Sequence, residues 1–77
     1  MKVELHKNVE KFLERLTQKQ RTRILRAIYK LPNGDILPLQ GRDNDYRLRV
    51  GGWRIIFEYR GEIIFAKEID SRGGIYK

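Results

Sequence analysis

The chain has 77 residues, 40% of them hydrophobic, 35% charged and none cysteine, which allows one domain (1–77) with a small core and excludes a disulfide framework, a thiol nucleophile and a cysteine zinc site. Seventeen lysines and arginines against ten acids leave a net charge of +7, pointing to a polyanionic partner: nucleic acid, an acidic protein or an anionic surface. No apolar run approaches the ~20 residues that span a bilayer, and Met1-Lys2-Val3-Glu4 does not open a secretion signal, so a cytoplasmic chain with no membrane role is expected.

Val3 and Leu5 alternate with polar neighbours and predict a short strand over residues 2–6. Asn8 is placed to cap a first helix, in which Val9, Phe12, Leu13 and Leu16 recur at i, i+3, i+4 and i+7. Thr17-Gln18-Lys19-Gln20 has the form of a capping box and starts a second helix with an apolar stripe of Ile24, Leu25, Ile28 and Leu31. Pro32 and Asn33-Gly34 end it. So short a connection between the two makes an αα-hairpin. Residues 33–44 read as a loop, with Leu37 and Leu39 as anchors and Gly41 permitting a bend.

From Tyr46 the period changes to two. Tyr46, Leu48 and Val50 alternate with Arg47 and Arg49; Trp53, Ile55, Phe57 and Tyr59 alternate with Arg54, Ile56, Glu58 and Arg60; a third apolar run covers Ile63 to Ile69. Gly51-Gly52 and Arg60-Gly61 separate these runs as two-residue turns. The first turn sets Val50 against Trp53, Leu48 against Ile55 and Tyr46 against Phe57, an apolar face for the helices to cover. On the other face it sets Arg49 against Arg54 and Arg47 against Ile56. The second turn adds Phe57 against Ile64, Ile56 against Phe65 and Arg54 against Lys67. Opposed like charges destabilise a sheet by about 0.2–1 kcal/mol per pair. A bound polyanion is a reason to keep Arg47, Arg49, Arg54 and Lys67 together; arginines splayed into solvent are the plainer alternative. Lys19, Arg23, Arg26 and Lys30 form a second basic stripe, read either as the solvated face of the second helix or as a surface for RNA or a partner.

Three stretches together resemble a known family: Leu37-Pro38-Leu39-Gln40-Gly41, the run Asp45-Tyr46-Arg47-Leu48-Arg49-Val50-Gly51-Gly52-Trp53-Arg54-Ile55-Ile56-Phe57, and Ile69-Asp70-Ser71-Arg72-Gly73-Gly74-Ile75-Tyr76. With the helical hairpin before them they are similar to the RelE/ParE toxins of toxin–antitoxin pairs, closer to the RelE-like branch, and the likeness covers essentially the whole chain. The resemblance implies an α+β fold: a short first strand and a two-helix hairpin packed on a mainly antiparallel sheet of about four strands. It also implies ribosome-dependent cleavage of messenger RNA in the A site with neither metal nor other cofactor. In that reaction the 2′-hydroxyl attacks the adjacent phosphorus, leaving a cyclic phosphate and a 5′-hydroxyl. The matching site positions are Arg47, Arg49, Arg54, Arg72 and Tyr76, of which Arg49, Arg54, Arg72 and Tyr76 are the candidates for catalysis; Arg47 and Arg49, with Lys67 from the hairpin register and Arg23 and Arg26 from the second helix, are the candidates for binding RNA. Fixed guanidinium groups suit the charge that builds on the phosphoryl oxygens, and Tyr76 is placed to stack on a base or move a proton. An antitoxin is the implied protein partner, with Ile56 and Phe65, if exposed, as its docking patch.

The match also departs from the pattern. Where relatives carry lysines as candidate bases the chain has Arg47 and Arg49, and arginine stays protonated in proteins. Ser71 stands where several relatives have a histidine, and His6 reads as structural. Tyr76, Glu58 and Asp70 are the remaining candidate bases. Two further readings stand beside the nuclease: a ParE-like inhibitor of DNA gyrase, and a module that binds RNA or antitoxin without cutting.

Overall fold

Two amphipathic stretches followed by period-two alternation leave one solution: helices laid over one face of a sheet. The computed structural model describes residues 2–31, 33–39, 41 and 44–71. Their order is β1 (Lys2–Leu5), α1 (Lys7–Glu14), α2 (Gln18–Tyr29), β2 (Asp35–Pro38), β3 (Asp45–Val50), β4 (Trp53–Arg60) and β5 (Ile63–Ser71). The strands form one sheet in the order β1-β5-β4-β3-β2. Every pairing is antiparallel except β1 with β5, which is parallel.

The α+β class and the helical hairpin are as read from the sequence, but the sheet has five strands where about four were expected. The extra one is β2, within the stretch expected to be loop. It is a short edge strand, pairing Asp35 with Arg49, Ile36 with Leu48 and Pro38 with Tyr46. An edge strand tolerates proline because one side of its backbone needs no partner. Four residues with one half-buried isoleucine are too few to produce a readable alternation.

Both helix starts are set by side-chain oxygens or nitrogens. The Asn8 N–H donates to His6 Nδ1 at 3.0 Å, so His6, not Asn8, is the cap of α1. The reason lies in β1: the His6 N–H still donates to the Ala66 carbonyl at 2.8 Å, and the helix begins at once beyond that last strand bond. The capping box of α2 is as expected, the Gln20 N–H donating to Thr17 Oγ1 at 3.2 Å and the Thr17 N–H to Gln20 Oε1 at 3.1 Å. Arg21 locks the two helices together, its Nε and Nη2 donating to the carbonyls of Leu13 and Leu16, each at 3.0 Å. The Leu13 carbonyl is in the last turn of α1, where it also accepts from the Leu16 N–H at 3.1 Å, and the Leu16 carbonyl lies in the connection to α2.

The core lies between the helices and one face of the sheet. Val9, Leu13, Ile24 and Ile28 meet Leu48, Val50, Ile55, Phe57, Ile64 and Ala66, with Leu31 closing one end. Tyr46, Phe57 and Tyr59 form an aromatic cluster on this face, with ring centroids 5.2–5.6 Å apart.

The β3–β4 register is the expected one at every pair, from Val50 with Trp53 to Tyr46 with Phe57. The β4–β5 register is not. Arg60 pairs with Ile63, so the turn is Gly61-Glu62 rather than Arg60-Gly61. Gly61 takes φ 61° and Gly51 takes φ 56°. In both hairpins the residue with positive φ is the first of the turn, which suits a turn with glycine in its leading position. Further along, Phe57 pairs with Ala66 but Ile56 with Glu68, and Lys67 is the extra residue of a bulge. Beyond the bulge Ile69 joins the helix-covered face, while Glu68 and Asp70 join the other.

Candidate nucleic-acid interface

The face of the sheet turned away from the helices carries the expected arginines. Alternation on β3 brings Arg47 and Arg49 there, and alternation on β4 brings Arg54, Ile56 and Glu58. Arg49 stands directly opposite Arg54, and Arg47 opposite Ile56. Lys67 does not face Arg54. The revised turn and the bulge set Asp70 in that place, with its Oδ2 3.6 Å from Arg54 Nη2.

The result is a charged network rather than a bare cation patch. Arg47 Nη2 lies 3.8 Å from Asp35 Oδ1 across the β2–β3 pair. Lys67 Nζ donates to both carboxylate oxygens of Asp45, at 3.1 and 3.0 Å, and lies 3.7 Å from Glu58. Arg60 Nε donates to Glu58 Oε1 at 3.0 Å. Lys67 is therefore occupied by carboxylates, and Glu58 serves two cations. Among the described residues Arg49 is exposed and has no ion pair. Two buried polar atoms on this face have no hydrogen-bond partner, Arg47 Nε and Asp70 Oδ1. Arg72 and Tyr76, expected to complete the site, lie outside the described residues.

Ile56 and Phe65, expected as a docking patch if exposed, are not open to a partner as a pair. Ile56 is only 7% exposed. Phe65 is half-buried, with the Arg60 guanidinium 4.5 Å from its ring centroid and the His6 ring edge-on at 6.1 Å. On the opposite face, burial and then the neighbouring Tyr46 raise the pKa of Tyr59 above its ordinary 10.0. That phenol keeps its proton through the neutral range and belongs to the packing.

A second basic feature was not resolved by sequence reasoning into a site. Lys19, Arg23, Arg26 and Lys30 line one wall of a groove of about 1010 Å³ between α2 and β3. Leu48, Val50, Gly34 and Gly51 also line it, and Arg49 joins it from the strand. Among the described residues Asp35 is the one acid of the lining, and its carboxylate is turned toward Arg47. The helical spacing of the four cations was visible in the sequence. Their position across from Arg49 needed the tertiary packing.

No family model and no curated protein matches the sequence. Two solved structures are among those that match the fold. One is described as a RelB–RelE antitoxin–toxin complex from Methanococcus jannaschii: TM-score 0.78, 29% identity, covering 95% of this chain and 94% of that one. The other is described as an archaeal RelE–RelB complex from Pyrococcus horikoshii OT3: TM-score 0.74, 28% identity, covering 94% of each chain.

Proposed function

We propose that this chain, similar over about 95% of its length to the RelE–RelB complexes, is a RelE-like toxin of a toxin–antitoxin pair that cuts messenger RNA on the arginine face of its sheet. The observation that carries this reading is Arg49 held opposite Arg54 by the Gly51-Gly52 hairpin. Two guanidinium groups so placed repel one another in the free protein, and a phosphodiester between them relieves the repulsion. Both neighbouring structures are described as complexes of RelE with RelB, which supports an antitoxin as this chain's partner.

In the proposed reaction the 2′-hydroxyl attacks the adjacent phosphorus, the 5′-oxygen leaves, and a cyclic phosphate remains. Arg49 and Arg54 stabilise charge on the phosphoryl oxygens. Arg72 adds a third cation and Tyr76 a stacking surface, roles taken from the resemblance alone. Asp70 lies beside Arg54 and orients it. Glu58, bonded to Arg60 and near Lys67, acts as a counter-ion rather than a base. Action on the ribosome, and therefore in the cytoplasm, belongs to the same proposal.

The test adds the purified chain to a reconstituted translation reaction and maps message ends by primer extension. Cuts at ribosome-occupied codons are expected, reduced about 10²-fold in Arg54→Ala and in Arg49→Ala, the usual loss when one oxyanion contact is removed. Intact message with inhibited DNA supercoiling would replace this reading with a gyrase inhibitor. Intact message with RNA retained in a binding assay would leave a non-cutting module.

A further inference from the structure

One ladder row of the sheet carries both arginines of the proposed site and an aspartate at each end. Asp35 stands opposite Arg49, Arg49 opposite Arg54, and Arg54 opposite Asp70, so the row crosses four strands with no net charge. At a strand spacing of about 4.8 Å the two acids stand about 14 Å apart. We infer that Asp35 and Asp70 are repulsive counter-ions that hold down the affinity of this face for RNA strands, leaving a single phosphodiester position between Arg49 and Arg54. The inference rests on reading the face as an RNA site.

Geometry separates these two acids from the other carboxylates of the face. Lys67 Nζ donates to Asp45 at 3.1 and 3.0 Å, and Arg60 Nε to Glu58 at 3.0 Å, lengths at which a charged hydrogen bond holds structure together. Asp35 Oδ1 is 3.8 Å from Arg47 Nη2, and Asp70 Oδ2 is 3.6 Å from Arg54 Nη2, too long for such a bond. Each of these pairs also includes a buried atom with no hydrogen-bond partner, Arg47 Nε in one and Asp70 Oδ1 in the other. The side chains of Asp35, Arg54 and Asp70 are about half exposed, where an ion pair adds little stability. Acids set against cations without bonding them act through their charge.

What that charge does to an RNA strand depends on where the strand lies. A phosphodiester between Arg49 and Arg54 has a cation on each side and is about 7 Å from either acid, one and a half strand spacings. A strand laid across the sheet, along the row, would bring its next phosphates over Asp35 or Asp70. A strand running along the β3–β4 hairpin meets both arginines and avoids both acids. The aspartates therefore select the direction of the strand as well as its affinity. At about 7 Å in water, the Coulomb repulsion between one carboxylate and one phosphate corresponds to about 3-fold in affinity.

The test follows the fluorescence anisotropy of a short labelled 2′-O-methyl RNA strand, which lacks the attacking hydroxyl, titrated with the full chain. Salt is kept at about 0.01 M, where a Debye length of about 30 Å leaves the repulsion largely unscreened. Asp35→Asn and Asp70→Asn are each expected to tighten binding about 3-fold, and the two together about 10-fold. Glu10→Gln, at an exposed acid of α1, removes the same charge away from this face and should change binding by less than about 2-fold. Aspartates that served only to hold Arg47 and Arg54 in place would give the opposite sign, weaker binding on substitution. Unchanged or weaker binding in either variant, a gain matched by Glu10→Gln, or no binding by any variant would overturn the inference. A chain that cuts message while its aspartate variants bind no tighter loses this inference alone. A chain whose variants tighten as expected but which leaves message intact keeps it and loses the nuclease.

Discussion

Gly51 and Gly52 share one turn but carry different constraints. Gly51 sits at φ 56° with the Arg23 guanidinium against it, whereas nothing lies within 4 Å of a Cβ built on Gly52. A left-handed φ costs a residue with a Cβ about 1–2 kcal/mol, and the contact with Arg23 adds displacement of that side chain. Gly51→Ala is expected to lower unfolding stability by about that amount in urea titrations. Gly52→Ala, outside the left-handed region, changes it little or raises it by ~0.4–1 kcal/mol. Equal losses at both positions would mean that the turn is held by backbone freedom alone. Arg21 is the other single residue with a large expected effect. Its two bonds to the carbonyls of Leu13 and Leu16 are charge-assisted and partly buried, so Arg21→Ala should cost roughly 2 kcal/mol. Arg21→Lys recovers little, because one ammonium does not reproduce the fork.

At the level of elements, β5 decides which side chains the arginines meet. Its apolar positions Ile64 and Ala66 are followed by two polar residues and then Ile69, a break in alternation that marks the bulge at Lys67. Were Lys67 to take a regular place in the ladder instead of bulging, Ile69 would leave the core and Asp70 would enter it, because a one-residue slip reverses every side chain. Deleting Lys67 sets Glu68 directly after Ala66 and leaves Ile69 inward, so the shortened strand is expected to stay paired and to unfold cooperatively, losing the contacts that Lys67 makes. Lys67→Met keeps the residue count and loses the contacts with Asp45 and Glu58. Asp45 is 5% exposed, so that variant should cost about 1–3 kcal/mol, less than a fully buried pair because Lys67 reaches solvent. Loss of cooperative unfolding in the deletion but not in the Met variant would mean that the strand needs the bulge itself. Legibility followed the same lines. Gly51-Gly52 between two clean alternations made the β3–β4 pairing readable residue by residue. The β4–β5 pairing was misread because the glycine of Arg60-Gly61 was placed second in the turn when its φ required it first. Arg72 lies outside the described residues, and Arg47, Arg49 and Arg54 share the face that the hairpin register predicts. Their carboxylate partners, Asp35 from an unrecognised edge strand and Asp70 from beyond the bulge, depended on pairings that local pattern does not carry.

Over the whole molecule the question is how a net charge of +7 is tolerated by a body only 32 × 27 × 22 Å. The charged pairs of the sheet span 3.0–3.8 Å, while the basic row on α2 has no ion pair among the described residues. Salt separates these two kinds of interaction by distance. The Debye length is about 30 Å at 0.01 M and about 8 Å at 0.15 M. At the lower value every cation repels every other across the full width of the protein; at the higher value only near neighbours interact, and pairs under 4 Å are screened least. Raising the salt over that range should therefore remove more repulsion than attraction, and the thermal midpoint should rise in calorimetry and then level off. Arg23→Gln with Arg26→Gln should raise the low-salt midpoint and flatten the dependence, since it removes two cations that have no ion-pair partner among the described residues. A midpoint that falls with salt in the unsubstituted chain would mean that the carboxylate network outweighs the net charge. The basic surface would then be stable without a polyanion to cover it.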